Sequence, residues 1–258
     1  MGVQKPYHRN YRAMKESHNS GYNEIAYIRD ENYAKAPVHY LRAFMIIQRD
    51  LEKIFEYIEP SESSLKAYSY RIHELLMRTC IEIEANFKAI LAENLFIPEK
   101  NKYGQIYNIR VYKKVNKTHH LSSYEVSLPI WNGEKRILKP FHSWIEGKTP
   151  VWYQAYNNSK HDRLEKFKEA NLENLIDAVA GLLALISSQF KTDDFSASVG
   201  FLSVRDVDYY DMGPAIGSFF RIRFPADWSD EEKYDFNWSE LSKESDRFAK
   251  INYNQIDS

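Results

Sequence analysis

Cysteine is almost absent from the chain, since Cys80 is the only one among 258 residues. A lone thiol excludes an intrachain disulfide framework and a cysteine-based zinc site, and it fits a reducing compartment. The first residues lack the apolar core of a signal peptide, and the longest apolar run, residues 178–186, is too short to span a bilayer. We therefore expect a cytoplasmic protein that is neither exported nor inserted into a membrane.

An excess of charge of one sign is missing as well, because 35 basic side chains face 36 acidic ones. No overall field then draws the chain onto nucleic acid, so any binding of RNA or DNA has to come from a local patch. The hydrophobic (43%) and charged (28%) fractions are those of a soluble globular protein. The 19 tyrosines suit both cores and interfaces, which is compatible with self-association.

Several familiar catalytic patterns are also missing: the sequence has no nucleophile elbow, no phosphate-binding glycine loop and no zinc motif. The pair His119 and His120 does not replace them. Adjacent residues on a strand point to opposite faces, and no Cys, Asp or Glu pattern completes a ligand set. An unrelated hydrolase therefore has no support, and we expect neither a metal nor a cofactor.

Composition and hydrophobic patterning divide the chain into three parts. Residues 1–37 are a polar arm that lies along the surface of its own chain or of a partner, or is partly disordered. Residues 38–190 form a helical core with a β-rich insert at residues 101–139, and residues 191–258 form a β/α extension packed on that core. The predicted fold is mainly α: an antiparallel helical bundle with a small antiparallel β insert and a mixed α/β C-terminal extension.

Apolar residues at three- and four-residue steps predict the first two helices of the core. One helix covers residues 38–58 and stops before Pro60. The other, the longest, covers residues 62–94 and has Ser61 or Ser63 as its cap.

The longest helix also carries a charged stripe of Arg71, Glu74, Arg78 and Glu82, whose spacing allows ion pairs on the helix surface. One interpretation is a solvated ladder of charges. The other is that Glu74 and Arg78 face the polar cluster around His161 and orient its histidine.

The insert has a different pattern. Residues 106–112 and 123–130 alternate apolar and polar side chains as strands do, and Asn132 with Gly133 offers the turn preferred in tight hairpins. Cations alternate with aromatic residues here, so the surface could bind phosphates and stack bases. The alternative is a solvated β surface whose edge strands carry lysines that prevent pairing with other chains.

After the insert, Thr149 as N-cap and Pro150 as first helical residue predict a short helix over residues 151–157. Beyond the cluster that follows it, apolar residues continue at helical spacing to Ile186. We predict a core helix there, with small residues that let another helix approach closely. These are Ala178, Ala180, Gly181 and Ala184.

The C-terminal region predicts strands at residues 196–204 and 218–224, with a turn at residues 211–214 between them. A capping box at residues 229–232 predicts the start of a short helix. The acidic, aromatic stretch at residues 227–246 either binds a regulatory protein partner or extends the surface of the core.

The cluster between the short helix and the core helix contains Asn157, Lys160, His161 and Arg163. A histidine exchanges protons near neutral pH, and the flanking cations could hold a phosphate or stabilise its charge in a transition state. These are the groups that cleavage of a phosphodiester needs. The alternative is the end of a helix whose charges coat a solvated turn.

The pattern Trp-x-x-Ala-Tyr-Asn-x-x-Lys-His-x-Arg at residues 152–163, placed after a long helix and an irregular insert, resembles the HEPN superfamily. That name denotes nucleotide-binding domains of higher eukaryotes and prokaryotes. The resemblance implies a helical bundle that is usually dimeric. Many members are metal-independent ribonucleases of toxin–antitoxin, abortive-infection and antiviral CRISPR defence systems.

The family motif is an arginine, a polar residue, a short spacer and a histidine, which places Asn157 and His161 on the polar and histidine positions. Tyr156 stands where the family has arginine. The implied mechanism is attack of the ribose 2′-hydroxyl on the adjacent phosphate, with His161 as general base or acid and Asn157 orienting it or binding the phosphate. Lys160 and Arg163 would stabilise the developing charge, in a cleft shared by two copies of a homodimer.

Two functions remain open. The first is a HEPN-type, metal-independent endoribonuclease that acts on RNA as an effector of antiviral defence or of a toxin system. The second is a catalytically inactive module of the same type that binds RNA, nucleotide or a partner protein. The departure from the family motif at Tyr156 favours the second.

Overall fold

The computed structural model describes residues 2–102, 104–134, 136–195 and 212–257. The prediction of a mainly α protein is confirmed, because eight α-helices dominate this described part. They are α1 Ser20–Ala26, α2 Pro37–Phe55, α3 Tyr70–Glu93, α4 Ile109–His119, α5 Val151–His161, α6 Arg163–Lys166, α7 Leu172–Phe190 and α8 Trp238–Leu241.

Two small antiparallel sheets accompany the helices. Their strands are β1 Lys100–Asn101, β2 Gly104–Gln105, β3 Glu125–Ser127, β4 Ile137–Leu138, β5 Gly213–Pro214 and β6 Arg221–Arg223. Strands β1 and β2 form a two-stranded sheet, and the others form a four-stranded sheet in the order β4-β3-β6-β5. On β3, Val126 lies opposite Leu138 of β4 and Ile222 of β6, so one sheet joins the insert to the C-terminal region.

Helix α7 is the centre of the core. It packs against α3, α2 and α5, and every residue from Ala178 to Phe190 is buried. Its length and composition would allow it to cross a membrane, but 89% of its apolar window is buried inside the protein. The predicted close approach occurs at Gly181, where an added Cβ would lie 3.4 Å from the Trp152 ring of α5.

The first two predicted helices exist with shorter bounds. Helix α2 ends at Phe55, and α3 begins at Tyr70 because the Ser69 hydroxyl accepts a hydrogen bond from the Ile72 amide at 3.2 Å. A single 3₁₀ turn, Glu62–Ser64, occupies the start of the range predicted for α3. Ser69 therefore caps α3, and the prediction of Ser61 or Ser63 as its cap is wrong.

The strand predicted at residues 106–112 is wrong, because most of it belongs to α4. Asn108 caps this helix by accepting hydrogen bonds from the amides of Arg110 and Val111. Buried residues at helical spacing, including Tyr112 and Val115, then hold α4 against the core. An alternating pattern over a few residues also fits part of an amphipathic helix, and tertiary packing selects the helix here.

The tight hairpin predicted at Asn132 and Gly133 is also wrong. Strands β3 and β4 do pair, but the nine residues between them, 128–136, form a longer connection. The Trp131 side chain packs in the core from this connection, which fixes its course.

The C-terminal predictions have mixed outcomes. Strand β6 confirms a strand within residues 218–224, whereas residues 196–204 lie outside the described residues. The predicted turn is wrong at Gly213 and Pro214, which form β5. Glu232 does accept a hydrogen bond from the Ser229 amide at 3.0 Å, but the chain makes only a turn there, and α8 begins later, capped by Asn237.

The aromatic residues of the stretch 227–246 belong largely to the core. Trp228, Tyr234 and Trp238 are buried. Of the two interpretations of this stretch, its contacts support an extension of the core.

The polar arm lies only partly on the surface, because residues 16–19 are exposed whereas residues 9–12 are buried. Arg9 is completely buried, and its guanidinium donates hydrogen bonds to Glu93 of α3 (2.6 Å), Gln189 of α7 (2.9 Å) and the Lys35 carbonyl (2.5 Å). Tyr33 also reaches the Gln189 carbonyl with its hydroxyl. The arm is thus part of the folded core, because its tyrosines and this cation fill space between the ends of α3 and α7.

Replacing Arg9 by methionine should lower the free energy of unfolding by about 3–5 kcal/mol, because Glu93 would keep its charge in a buried place without its partner. Chemical denaturation measures this loss. The matched control is Arg71→Met, whose side chain is 85% exposed and which should cost less than about 0.5 kcal/mol. A stability of Arg9→Met equal to that of the control would contradict the role of this contact.

His119 holds the same part of the arm. Its Nε2 donates to the Arg9 carbonyl at 2.8 Å, and its Nδ1 lies 2.9 Å from the Thr118 hydroxyl. Complete burial lowers the pKa of His119 from 6.5 to about 3, because a charged imidazolium would lose its hydration. The native protein therefore keeps this ring neutral.

This depressed pKa predicts a loss of stability in acid. Below pH 6.5 the unfolded chain protonates His119 while the folded chain does not, so stability should fall as the pH drops from 6.5 toward 3. Chemical denaturation at a series of pH values across that range measures the slope of the free energy of unfolding against pH. His119→Gln should reduce that slope by up to about 1.4 kcal/mol per pH unit. The control His18→Gln changes an exposed residue, and an equal effect of both variants would contradict the assignment.

Candidate functional site

Helix α5 carries the predicted cluster and is longer than predicted, running from Val151 to His161. Pro150 rather than Thr149 is its N-cap residue, and no side chain caps it. The Trp152 indole fixes the helix by donating to the Pro140 carbonyl at 2.8 Å. Asn157, Lys160 and His161 therefore belong to the last turns of a helix and not to a turn that follows one, whereas Arg163 lies beyond the helix.

His161 is the last residue of α5, and its side chain is exposed. Within the described residues, neither ring nitrogen has a hydrogen-bond partner or an ion-pair partner. The helix breaks at Asp162, whose amide still donates to the Asn158 carbonyl at 2.9 Å. The imidazole is thus free to meet solvent or a ligand.

Arg163 begins α6 directly after this break. Its side chain is exposed and, in the described ranges, pairs with no carboxylate. Asn157 lies one helical turn before His161 on the same face of α5 and is half-buried. Asn157 and His161 therefore lie in the last turns of α5, and Arg163 follows directly after that helix, while their joint role as a site stays a prediction.

Lys160 has a different partner. Its Nζ donates to the Tyr156 hydroxyl at 3.3 Å and lies 5.1 Å from the centre of the Tyr156 ring. Tyr156 is buried, with 2% of its surface exposed. Burial, and after it the charge of Glu84, raises the pKa of Tyr156. In this conformation the Lys160 ammonium is held against the tyrosine.

Glu84 of α3 completes a polar seam between α3 and α5. Its Oε1 accepts a hydrogen bond from the Tyr153 hydroxyl at 3.1 Å, and burial together with this carboxylate raises the pKa of Tyr153. Cys80 lies one turn earlier on the same helix, where burial raises the pKa of its thiol. Glu84 was not predicted from the sequence, although its four-residue spacing from Cys80 places both on one helix face.

Glu74 and Arg78 do not contact the cluster. Arg78 pairs with Asp50 of α2, and Glu74 pairs with Arg71 at 3.2 Å. Both line a groove of about 550 Å³ between α2 and α3. The hypothesis that they orient His161 is therefore wrong in this conformation. Successive residues of a helix are rotated by about 100°, so Glu74 and Arg78 lie on a face of α3 that points away from α5.

His73 is the α3 residue that faces the end of α5. Burial lowers its pKa, the charge of Arg163 acts in the same direction, and the backbone of Ser159 acts in the opposite one. Its Nε2 is buried and has no hydrogen-bond partner among the described residues, and its ring centre lies 5.5 Å from that of Phe167. No local pattern predicts this contact, because it depends on how α3 packs against α5.

No metal centre is assembled within the described ranges, where no three His, Cys, Asp or Glu side chains are placed to hold an ion. His120 instead forms contacts with Asp227 (3.1 Å) and Glu232 (3.0 Å), and its ring stacks on Trp228 at 3.9 Å. These contacts join the end of α4 to the C-terminal region.

Comparison with known proteins finds no match, neither a protein-family model, nor a curated protein, nor a solved structure. The resemblance to the HEPN superfamily stays a prediction that rests on residues 152–163 and their position between helices.

Proposed function

We propose that the protein is a metal-independent endoribonuclease of HEPN type, acting in the cytoplasm as an effector of a prokaryotic defence or toxin system. The observation that carries this proposal is the free, exposed imidazole of His161 at the end of α5, followed by the unpaired guanidinium of Arg163. An exposed proton-transfer group beside a free cation suits cleavage of a phosphodiester.

The arrangement of the helices supports the same proposal. Helices α2, α3, α5 and α7 pack on one another, and α7 lies at their centre. The order of a long helix, an irregular insert, the motif helix and an apolar core helix is the order expected for a HEPN bundle. We take the four helices as that bundle and the residues outside them as additions to it.

In the proposed reaction the ribose 2′-oxygen attacks the adjacent phosphorus while the bond to the 5′-oxygen breaks. His161 accepts the proton of the 2′-hydroxyl, and a second acid protonates the departing 5′-oxygen. The products are a 2′,3′-cyclic phosphate and a 5′-hydroxyl. Arg163 stabilises the charge on the phosphorane oxygens, and Asn157 orients the imidazole or binds the phosphate.

A homodimer supplies the second acid. Each chain contributes one exposed imidazole at the end of α5, so two copies that meet there bring both His161 rings to one cleft. One ring then acts as base and the other as acid. Lys160 joins the site only if its ammonium leaves Tyr156, which a bound phosphate would favour by charge attraction.

A second function has one specific observation in its favour. Tyr156 is buried at the motif position of arginine and holds the nearest lysine away from His161. A site with a single free cation could bind RNA, a nucleotide or a regulatory protein partner without cleaving anything. The following experiment distinguishes this inactive binding module from the ribonuclease.

Purified protein should cleave total RNA in the presence of EDTA, and His161→Ala should reduce the rate by about 10²–10⁴, the usual contribution of general acid–base catalysis. Gel analysis over time measures the rate. His18→Ala, a change at another exposed histidine, is the control and should leave the rate unchanged. Equal cleavage by wild type and His161→Ala would identify a contaminant and leave the binding module as the better function.

A further inference from the structure

The most one-sided charge distribution in the chain lies in residues 100–124. This stretch contains six lysines and arginines and no aspartate or glutamate, although the whole chain is almost neutral. A local patch of this kind is what an electrically balanced protein needs in order to bind a polyanion.

Helix α4 gathers four of these cations on one side. Their positions along the chain differ by three, one and three, a spacing that puts all four on one helix face. The four cations are Arg110, Lys113, Lys114 and Lys117. We call them the basic face of α4. The opposite face is held in the core by Tyr112, whose ring stacks on Phe87 at 4.9 Å with an angle of 9° between the planes.

The charge of the basic face is not neutralised from within the described part of the chain. Arg110, Lys113 and Lys117 have no ion-pair partner there, and Arg110 and Lys117 are exposed. Lys114 donates to the Tyr253 carbonyl at 3.3 Å, a contact that leaves its positive charge intact. Surface lysines that serve only solubility usually have carboxylates interspersed among them. Residues 100–124 contain none, although Glu99, just before this stretch, lines a depression together with Arg110 and Lys114.

Two depressions flank the basic face, and Arg110 borders both. One, of about 460 Å³, is also lined by Phe96, Lys114, Asn254 and one carboxylate, that of Glu99. The other, of about 330 Å³, is also lined by Lys113, Lys148 and Thr149. Their combination of cations with amide and aromatic groups suits a chain that alternates phosphates and bases.

We propose that the basic face of α4 binds the phosphate backbone of single-stranded RNA and is the substrate-binding surface of the protein. The proposal deepens the function proposed above and rests on it for the identity of the substrate. Thr149 at the edge of one depression almost directly precedes α5, and His161 ends α5 about 15 Å further along the helix axis. A strand held on α4 can therefore extend along α5 to the imidazole.

The same face does not suit a membrane. A basic helix that lies on a bilayer inserts its apolar side among the lipids. The apolar side of α4 is completely buried at Tyr112 and Val115, so the helix has only cations to offer. A nucleic-acid backbone needs nothing more, because binding there comes from phosphate neutralisation.

The test is RNA binding by the full chain in a His161→Ala background, where the proposed cleavage is slowed by about 10²–10⁴ so that binding is measured by itself. Fluorescence anisotropy follows a labelled single-stranded RNA of about 20 nucleotides at salt concentrations from about 50 to 200 mM. The test variant adds Arg110→Glu and Lys117→Glu. The control adds Arg42→Glu and Arg49→Glu, two exposed arginines of α2 with the same spacing and the same change of net charge.

We expect the α4 variant to bind the RNA at least about tenfold more weakly. The slope of the logarithm of its binding constant against the logarithm of salt concentration should become about 1.4 less steep, the effect of two lost phosphate contacts. The control should stay within about twofold of its parent. Equal weakening of both variants, no weakening of either, or no RNA binding by the parent would overturn the proposal. Binding to anionic vesicles that depends on the same residues, without RNA binding, would overturn it in favour of a membrane.

If the glutamate variant does not fold by circular dichroism, Arg110→Gln with Lys117→Gln removes the charges without reversing them and should show the same direction of change. The outcome is independent of catalysis. Loss of binding in the α4 variant, together with cleavage that does not depend on His161, would support the surface and refute the proposed reaction.

Discussion

The buried guanidinium of Arg9 is the contact on which the arrangement of the core depends most. A cation removed from water must be surrounded by acceptors, and these come from α3, from α7 and from the segment before α2. Tyr40 of α2 adds its ring, 4.6 Å from the guanidinium carbon. One side chain therefore fixes the ends of three helices relative to one another, and the arm that carries it cannot be removed without exposing them.

Helix α5 takes its position from α3 and α7, two of the three helices that Arg9 joins. It packs on α7 at Gly181 and on α3 through the hydrogen bond from Tyr153 to Glu84. Its buried face is rich in large aromatic side chains, so its opposite face and its last turn remain outside. His161 is exposed because the rest of α5 is anchored, and a rigid support of this kind is what a proton-transfer group needs.

The sequence was sufficient for features that depend on periodicity. The apolar spacing of α2, α3 and α7 predicted their existence and approximate positions, because a core helix must present one apolar face whatever it packs against. The short helix predicted over residues 151–157 also exists, but it continues to His161, which the prediction had placed in a turn after the helix.

Features that depend on tertiary contacts were not predictable in this way. Residues 106–112 alternate like a strand, and tertiary packing, such as that of Tyr112 against Phe87, selects a helix. The helix places four cations on one face, whereas the segment predicted as a strand contained only one of them, Arg110. The partners of Arg9, Lys160 and His73 come from distant segments or from a choice of side-chain conformation, and no local pattern specifies them.

The central functional claim is that RNA bound along α4 and α5 reaches a free imidazole at residue 161. The most direct measurement is a histidine NMR spectrum of the protein titrated with a 2′-O-methyl RNA oligonucleotide, which lacks the attacking hydroxyl and stays intact. The ring signals of His161 should shift on binding, while those of buried His119 stay unchanged. Saturable RNA binding that leaves the His161 signals unmoved would contradict the claim.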